Sequence, residues 1–585
     1  MMFAVCASAQ PVSPADPAAA AFGRGATLAK DGKFDAAIKE FDEAIRLKPG
    51  NAMGYNDRGA AYEGLHQESR AESDYEQALS LDPQLPDALY NLGRMRARHG
   101  GFVEAVSYFN HLITLKPDMP EAFKERGFAL FRMKSYMLAL QDIEQALKLK
   151  PDDPEVYADR AILRHAMGQD RLAFDDFDRA LKLKPDLAQG YDARGTVYSE
   201  LERYERAISD FDQAIKLKPD QYFSYFNRAA AYAKLGKPDR AIADYGEVIK
   251  LVPGYLTAMV NRAAIYRDLG QPQLALADLN RAIEGNPQFA NALRDRAKLY
   301  KENNRPDLAV ADFSRARDAY DIGVSVRPDD LELLTSRADA AYEAKRWRNA
   351  IADYSKVIER DPKTAAPYVR RAESYTNTGD FAAGLTDTEA ALNLDRRNRD
   401  ARYFRAYLNR AIGNYEAALK DYGDLTGGED NGTAYLQRGI VYFCMGKYTE
   451  AESDFRKYLE SHSNDVWTHN WIHVVRVKRG LADDPVYIAL PSSPLDRLAR
   501  YEIANMFRGK TPFEEVSARM IASRSDPAQK VNWPCSSGFF LGEYKLEHGD
   551  LAGAKTYLGE VAADTTCSSG IVAAAAAESK RLPAN

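Results

Sequence analysis

Asp57, Asn91, Glu125 and Asp159 follow one another at intervals of 34 residues, and the same step leads through Ala193 to Asn227, Asn261 and Asp295. Directly after this position stands an arginine in nearly every case, as in Arg58, Arg126, Arg160, Arg194, Arg228, Arg262 and Arg296. Gln437 and Arg438 repeat the pair further along the chain. A carboxamide can donate to a carbonyl and accept from an N–H of the same peptide, so a row of them grips a ligand backbone with little regard to its sequence. The arginines admit two readings: each spans to a carboxylate of its own or the neighbouring repeat, or each faces a ligand. Neither row supplies catalysis, which needs a nucleophile, a base and a charge stabiliser converging on one point. The chain carries no Walker loop, no serine elbow and no HExxH helix, and Gly23 and Gly25 of GRGATLAKDG fall within a helical pattern. The eight histidines are scattered, without metal-ligand spacing to the four cysteines. A non-enzymatic protein without metal or cofactor is expected.

The elements that position these rows are legible from the prolines. Pro49, Pro83, Pro117, Pro151, Pro185, Pro219, Pro253 and Pro287 are all separated by the same 34 residues. A fixed period in this range signals a solenoid or a propeller rather than a set of ordinary domains. With proline counted as position 32, position 8 is small (Gly59, Gly195), position 20 is alanine (Ala71, Ala207, Ala241) and position 24 is bulky (Tyr75, Phe211). Small residues at 8 and 20 let two helices approach, and the large side chain at 24 fills the space beside them. Each repeat reads as two amphipathic helices joined by a short Gly-, Lys- or Asp-bearing turn and ended by proline. The ninth repeat carries seven extra residues, in ADFSRARDAYDIGVSVRPDD, which predict about two more turns of its second helix.

Lys and Arg number 79 against 85 Asp and Glu, a net charge of −6, which speaks against a basic nucleic-acid footprint. No stretch approaches the ~20 apolar residues of a membrane-spanning helix.

The pattern resembles the tetratricopeptide repeat family, whose 34-residue unit has an aromatic at 4, Gly or Ala at 8, Tyr at 11, Ala at 20, an aromatic at 24 and Pro at 32. Tyr55, Phe123, Tyr157, Tyr191 and Tyr225 stand at position 4, and Tyr62, Tyr198, Tyr232, Tyr266 and Tyr300 at position 11. The resemblance covers residues 18–464 and implies an all-α, right-handed superhelical solenoid of about 13 antiparallel helix pairs. It also implies that first helices line a concave face. Position 6 residues there become the candidates for holding a peptide: Asp57, Asn91, Asp159, Asn227, Asn261, Asp295 and Gln437. The stretch from about 190 to 300 is the leading surface, with Tyr225 and Phe226 beside Asn227, and the Trp467 and Trp471 face comes next. Gly59, Ala71, Tyr75, Pro83, Gly195, Ala207, Phe211, Pro219 and Ala241 are read as structural. Acidic residues fill several places of the family's carboxylate clamp, which argues against acidic C-terminal tails as ligands.

Residues 465–585 read as an irregular helical cap with one last repeat marked by Gly542 and Ala554. This region loosely resembles that of bacterial envelope repeat proteins, among them lipoproteins that act as protease adaptors. Residues 1–9 read as the remnant of a signal peptide ending at Ala7-Ser8-Ala9, and 10–17 as a flexible leader. Cys535 and Cys567 flank the last repeat, whose antiparallel helices would bring them together for a disulfide in an oxidising compartment. The expected function is a scaffold or adaptor that binds one or more proteins or peptides in the bacterial envelope, periplasmic or secreted. If the N-terminal segment is not a signal remnant, the location is cytoplasmic. The alternatives are a self-associating structural solenoid and an envelope regulatory module without strong peptide affinity.

Overall fold

The computed structural model describes residues 16–427, 432–482, 499–524, 533–564 and 569–583. Every regular element among these residues is an α-helix, thirty-two in all, and no strand occurs among them. On either side of helix Pro272–Gly285, successive helices pack as antiparallel pairs and each pair packs on the next, and the fold is an all-α solenoid. The N-terminal residues read as a signal remnant and most of the leader lie outside the described residues, as do Cys567 and the side chain of Cys535.

One repeat shows how the sequence builds the pair. Helix Ala188–Glu200 turns through residues 201–203 into helix Tyr204–Leu217. Lys218 leaves the helical conformation at φ −138° and ψ 87°, consistent with the bias against α before a proline such as Pro219. Between the two helices, the Phe211 ring is fully buried and lies where a Cβ on Gly195 would stand 2.8 Å from it. Tyr75 packs on Gly59 in the same way, at 2.9 Å. Ala71, Ala207 and Ala241 are all completely buried. The turn itself needs a left-handed residue. Gly32, Gly100, Gly168, Gly236 and Gly270 supply it at φ between 65° and 84°. His66, Lys134, Glu202, Asn304 and Lys345 hold φ between 54° and 61°, where a side chain costs about 1 kcal/mol.

The chain forms two compact halves, dividing between Asp278 and Leu279 within helix Pro272–Gly285. In the second half, the extra residues of the ninth repeat all enter one helix, Pro306–Val326, which has 21 residues. Its added turns bury Tyr320 and Val324, and Val324 joins Leu334 and Val357 of the following repeat. Ile322 and Val326 remain exposed.

The last part of the chain packs around Trp471. Helix Val466–Lys478 leads to helices Ala499–Phe507 and Phe513–Arg524, then to the pair Trp533–Glu547 and Leu551–Ala563. In that pair, a Cβ on Gly542 would meet Leu558 at 2.7 Å, the same close approach that the regular repeats use. Trp471 sits in a common core with Phe443, Phe455, Phe539 and Phe540. Trp471 is 4% exposed, whereas Trp467 stacks on Phe540 and stays half-buried, and both line a cavity of about 190 Å³.

Candidate functional site

The arginine row is bonded within the repeats. Arg58 donates from Nε and Nη2 to the two oxygens of Asp74 at 2.8 and 2.7 Å, and from Nη1 to Asp42 of the preceding repeat at 2.6 Å. Arg194 repeats this with Asp210 and Asp178, and Arg228 with Asp244 and Asp212. The carboxylate at position 23 is buried in each case and the fork matches its geometry. These arginines hold one helix pair together and tie it to the one before. In the ninth repeat, the two acids that stand two residues apart in Asp210 and Asp212 become Asp312 and Asp321. Arg296 takes the first and Arg337 the second, so the added turns leave the row unbroken. The third repeat replaces both partners at once: Leu92 and Tyr108 pack together where the arginine and aspartate would be.

The position 6 side chains are more varied. Asn91 donates to Asn56, which donates in turn to Asp57, at 3.1 and 3.0 Å. Asn227 donates to Thr196 at 3.5 Å and Asn261 to the Tyr245 hydroxyl at 3.3 Å. Asp295 accepts from Arg294 at 2.9 Å. Among the described residues none donates a hydrogen bond to Asp159, and the Lys124 charge is its main counterweight. Burial raises Asp57 to about 7, against the hydrogen bond from Asn56, and raises Asp159 to about 6. Glu125 is raised for the same reason, with Arg94 opposing it.

Glu125 and Asp159 belong to a cleft of about 340 Å³ in the first half, on the face formed by first helices. Helix Pro120–Arg132 contributes Phe128, which is 44% exposed, and helix Pro154–Ala166 contributes Ile162. Leu187 and Ala193 complete an apolar floor beneath Glu125, Glu155 and Asp159. Lys124, Glu125 and Phe128, and then Ala158, Asp159 and Ile162, stand at positions 5, 6 and 9 of successive repeats, with Glu155 at position 2 and Leu187 at position 34. The position 6 row pointed to this face, whereas the exposed Phe128 three residues further on was missed; its signal is an aromatic at position 9, where the adjacent repeats carry Arg94 and Ile162.

In the last two regular repeats this face is met by the chain itself, whereas Arg294, Lys298, Ser336 and Asp339, at positions 5, 6 and 9 of the ninth and tenth repeats, line a cleft of about 500 Å³. Helix Ser569–Arg581 lies on the first helices Arg399–Ala411 and Gly432–Cys444. It buries Ile571, Ala573, Ala574, Ala575 and Ala577. Gly570 abuts the Arg410 guanidinium, which donates to Gln437. At the far end Arg581 donates to the carbonyls of Phe443 and Cys444, and Lys478 reaches Glu578 at 2.6 Å. Gln437, expected to hold a peptide, is thus engaged within the protein.

Family models described as tetratricopeptide repeat match residues 8–52, 57–120, 222–255, 260–319, 294–365 and 369–432, and one described as TPR repeat matches 195–236. The chain belongs to the tetratricopeptide repeat family. It is similar to serine/threonine-protein phosphatase 5 of Homo sapiens, with 37% identity over 91 residues, 16% of this chain and 18% of that one. It is similar to the Hsp70-Hsp90 organizing protein of Triticum aestivum, with 30% identity over 91 residues, 14% and 16% of the two chains. The chain spans less than a fifth of the length of these relatives. The solved structure of YrrB, described as a TPR protein with an unusual peptide-binding site, is 23% identical with a TM-score of 0.26, covering 32% of this chain and 95% of that one.

A tetratricopeptide repeat stabilises itself through the small, bulky and Arg–Asp positions, and nothing in that scheme requires an aspartate at position 6. Asp159 is therefore expected to weaken the fold. Its folded-state pKa is raised to about 6, so ionisation is penalised and stability falls as pH rises from the unfolded-state value towards 6. Asp159→Asn is expected to stabilise the protein by about 1–2 kcal/mol at pH 7.5, with the gain disappearing below about pH 4. Denaturant titrations of both proteins at the two pH values check this, and a variant less stable at pH 7.5 would contradict it.

Proposed function

We propose that the chain is a non-enzymatic scaffold that binds segments of other proteins along the face formed by its first helices. The observation that carries this reading is helix 569–581, which packs on the first helices of the last two regular repeats, with Gly570 and Ile571 beside Tyr407, Arg410, Leu436, Gln437 and Ile440. The chain thereby fills with its own helix a surface that stays open over residues 124–193. Among the described residues nothing donates to the side-chain oxygens of Asn227 and Asn261, which are available to a ligand backbone. A relative named for organising Hsp70 and Hsp90 supports a role in joining proteins. The envelope is the proposed location, supported by the spacing of Cys535 and Cys567 around one helix pair.

A photo-crosslinking side chain placed at Phe128 or Ala230, on the first-helix face, is expected to give discrete protein adducts in the native host. The same probe at Lys182, on a second helix, is expected to give none. Replacing Asn227 and Asn261 together by alanine is expected to lower the adduct yield from Ala230 by about fivefold or more. Equal labelling from both faces, or an unchanged yield in a well-folded double variant, would remove this reading.

A further inference from the structure

We propose that the cleft over residues 124–193 docks a positively charged, amphipathic α-helix of a partner protein. The proposal rests on the scaffold reading above and names the chemistry of one ligand.

The charge of the cleft is one-sided. Glu125, Glu155 and Asp159 stand around it against a single ammonium, Lys124. Lys124 is taken by Glu155 at 3.0 Å. Glu125 has the Arg94 guanidinium at 4.0 Å, with Lys124 and Arg98 further contributing, and among the described residues none donates a hydrogen bond to Asp159. Both carboxylates already bear a desolvation cost, which a cationic side chain from a ligand would offset. Beneath them Phe128, Ile162 and Leu187 form an apolar strip, and Phe128 is exposed although it is large. A ligand that satisfies both features needs an apolar stripe flanked by lysines or arginines, which is the pattern of a basic amphipathic helix.

The helical form of the ligand follows from the second half. There helix 569–581 packs on the first helices of the last two regular repeats, and its Gly570 and Ile571 stand beside Leu436, Gln437 and Ile440 at the same repeat positions. Its cationic end is held by carbonyls, through Arg581, rather than by unpaired acids. The first half has the open counterpart of this surface with the acids added. Glu125 and Asp159 therefore select for charge what the apolar strip selects for shape.

Synthetic peptides of about 18 residues, long enough for five helical turns, test this with the full chain by fluorescence anisotropy. The first carries a Leu/Ala stripe flanked by lysines, the second has glutamate for every lysine, and the third keeps the lysines but scrambles the stripe. The lysine helix is expected to bind at least about tenfold more tightly than either control, and to weaken as salt is raised. Glu125→Gln with Asp159→Asn is expected to reduce its affinity by about tenfold with helicity unchanged, and to leave the glutamate peptide no worse bound. Phe128→Ala is expected to weaken binding without changing its salt dependence. Equal binding of the glutamate or scrambled peptide, or an unchanged affinity in the charge-neutral variant, would overturn the proposal. If Phe128 and Ala230 crosslink to partners while the lysine helix does not bind, the scaffold reading stands and this one falls. If neither occurs, both fall.

Discussion

Replacing Asp353 by alanine is expected to destabilise the protein by about 3–5 kcal/mol, the cost of removing one partner from a buried ion pair. Asp353 is 4% exposed and accepts from Arg337 at 3.0 Å from Nε and 2.5 Å from Nη2. Arg337 is itself 8% exposed, the most enclosed of the position 7 arginines, and keeps only Asp321, at 2.7 Å, once the fork is gone. A guanidinium left in that position has lost the groups that compensate its desolvation. The third repeat supplies the control. Leu92 and Tyr108 fill the two places without any charge, so Arg228→Leu with Asp244→Tyr is expected to cost far less than either single change in the same fork. Because repeats contact mainly their neighbours, the loss in Asp353→Ala is expected to be local. Hydrogen exchange should accelerate first in helices Leu331–Glu343 and Trp347–Arg360. Exchange as slow as in the parent across both helices would contradict the account.

The arginine row shows where the sequence was legible and where it was not. The period, the helix pairs and the seven-residue lengthening of the ninth repeat follow from spacing alone, because each depends on contacts within one pair or between adjacent ones. The arginines could be read two ways only because position 7 was considered without position 23. Asp74, Asp142, Asp176, Asp210 and Asp244 recur there with the same 34-residue step, always 16 residues after the arginine. That constant offset is the signature of an intrarepeat bond. At position 6 no partner recurs in this way, and the structure accordingly finds a different arrangement for Asn91, Asp159, Asn227 and Gln437. The docking of helix 569–581 had no signal at all. Arg581 meets Cys444 across 137 residues, and an alanine run specifies a helix without specifying what it covers.

Trp471→Ala is expected to cost about 3–5 kcal/mol, and to release the C-terminal helices rather than the repeats before them. The indole lies 5.1 Å from Phe443 and 5.7 Å from Phe455 by ring centroids, and 4.8 and 5.5 Å from Phe539 and Phe540. It is the side chain through which helices Gly432–Cys444 and Tyr448–Leu459 meet helix Trp533–Glu547. A truncated side chain leaves four aromatic rings facing a space they cannot close by small shifts, since they are fixed on three different helices. The ion network nearby offers no substitute: Lys478 reaches both Glu543 and Glu578, but only while the aromatic core holds those helices together. Undocking of helix 569–581 would then uncover Leu436, Gln437 and Ile440. Limited proteolysis is expected to cut the variant first beyond residue 465 while leaving a resistant N-terminal fragment, and thermal unfolding should gain an early transition. A single unfolding transition at the parental temperature, with the C-terminal helices still resistant, would show that Trp471 does not carry the junction.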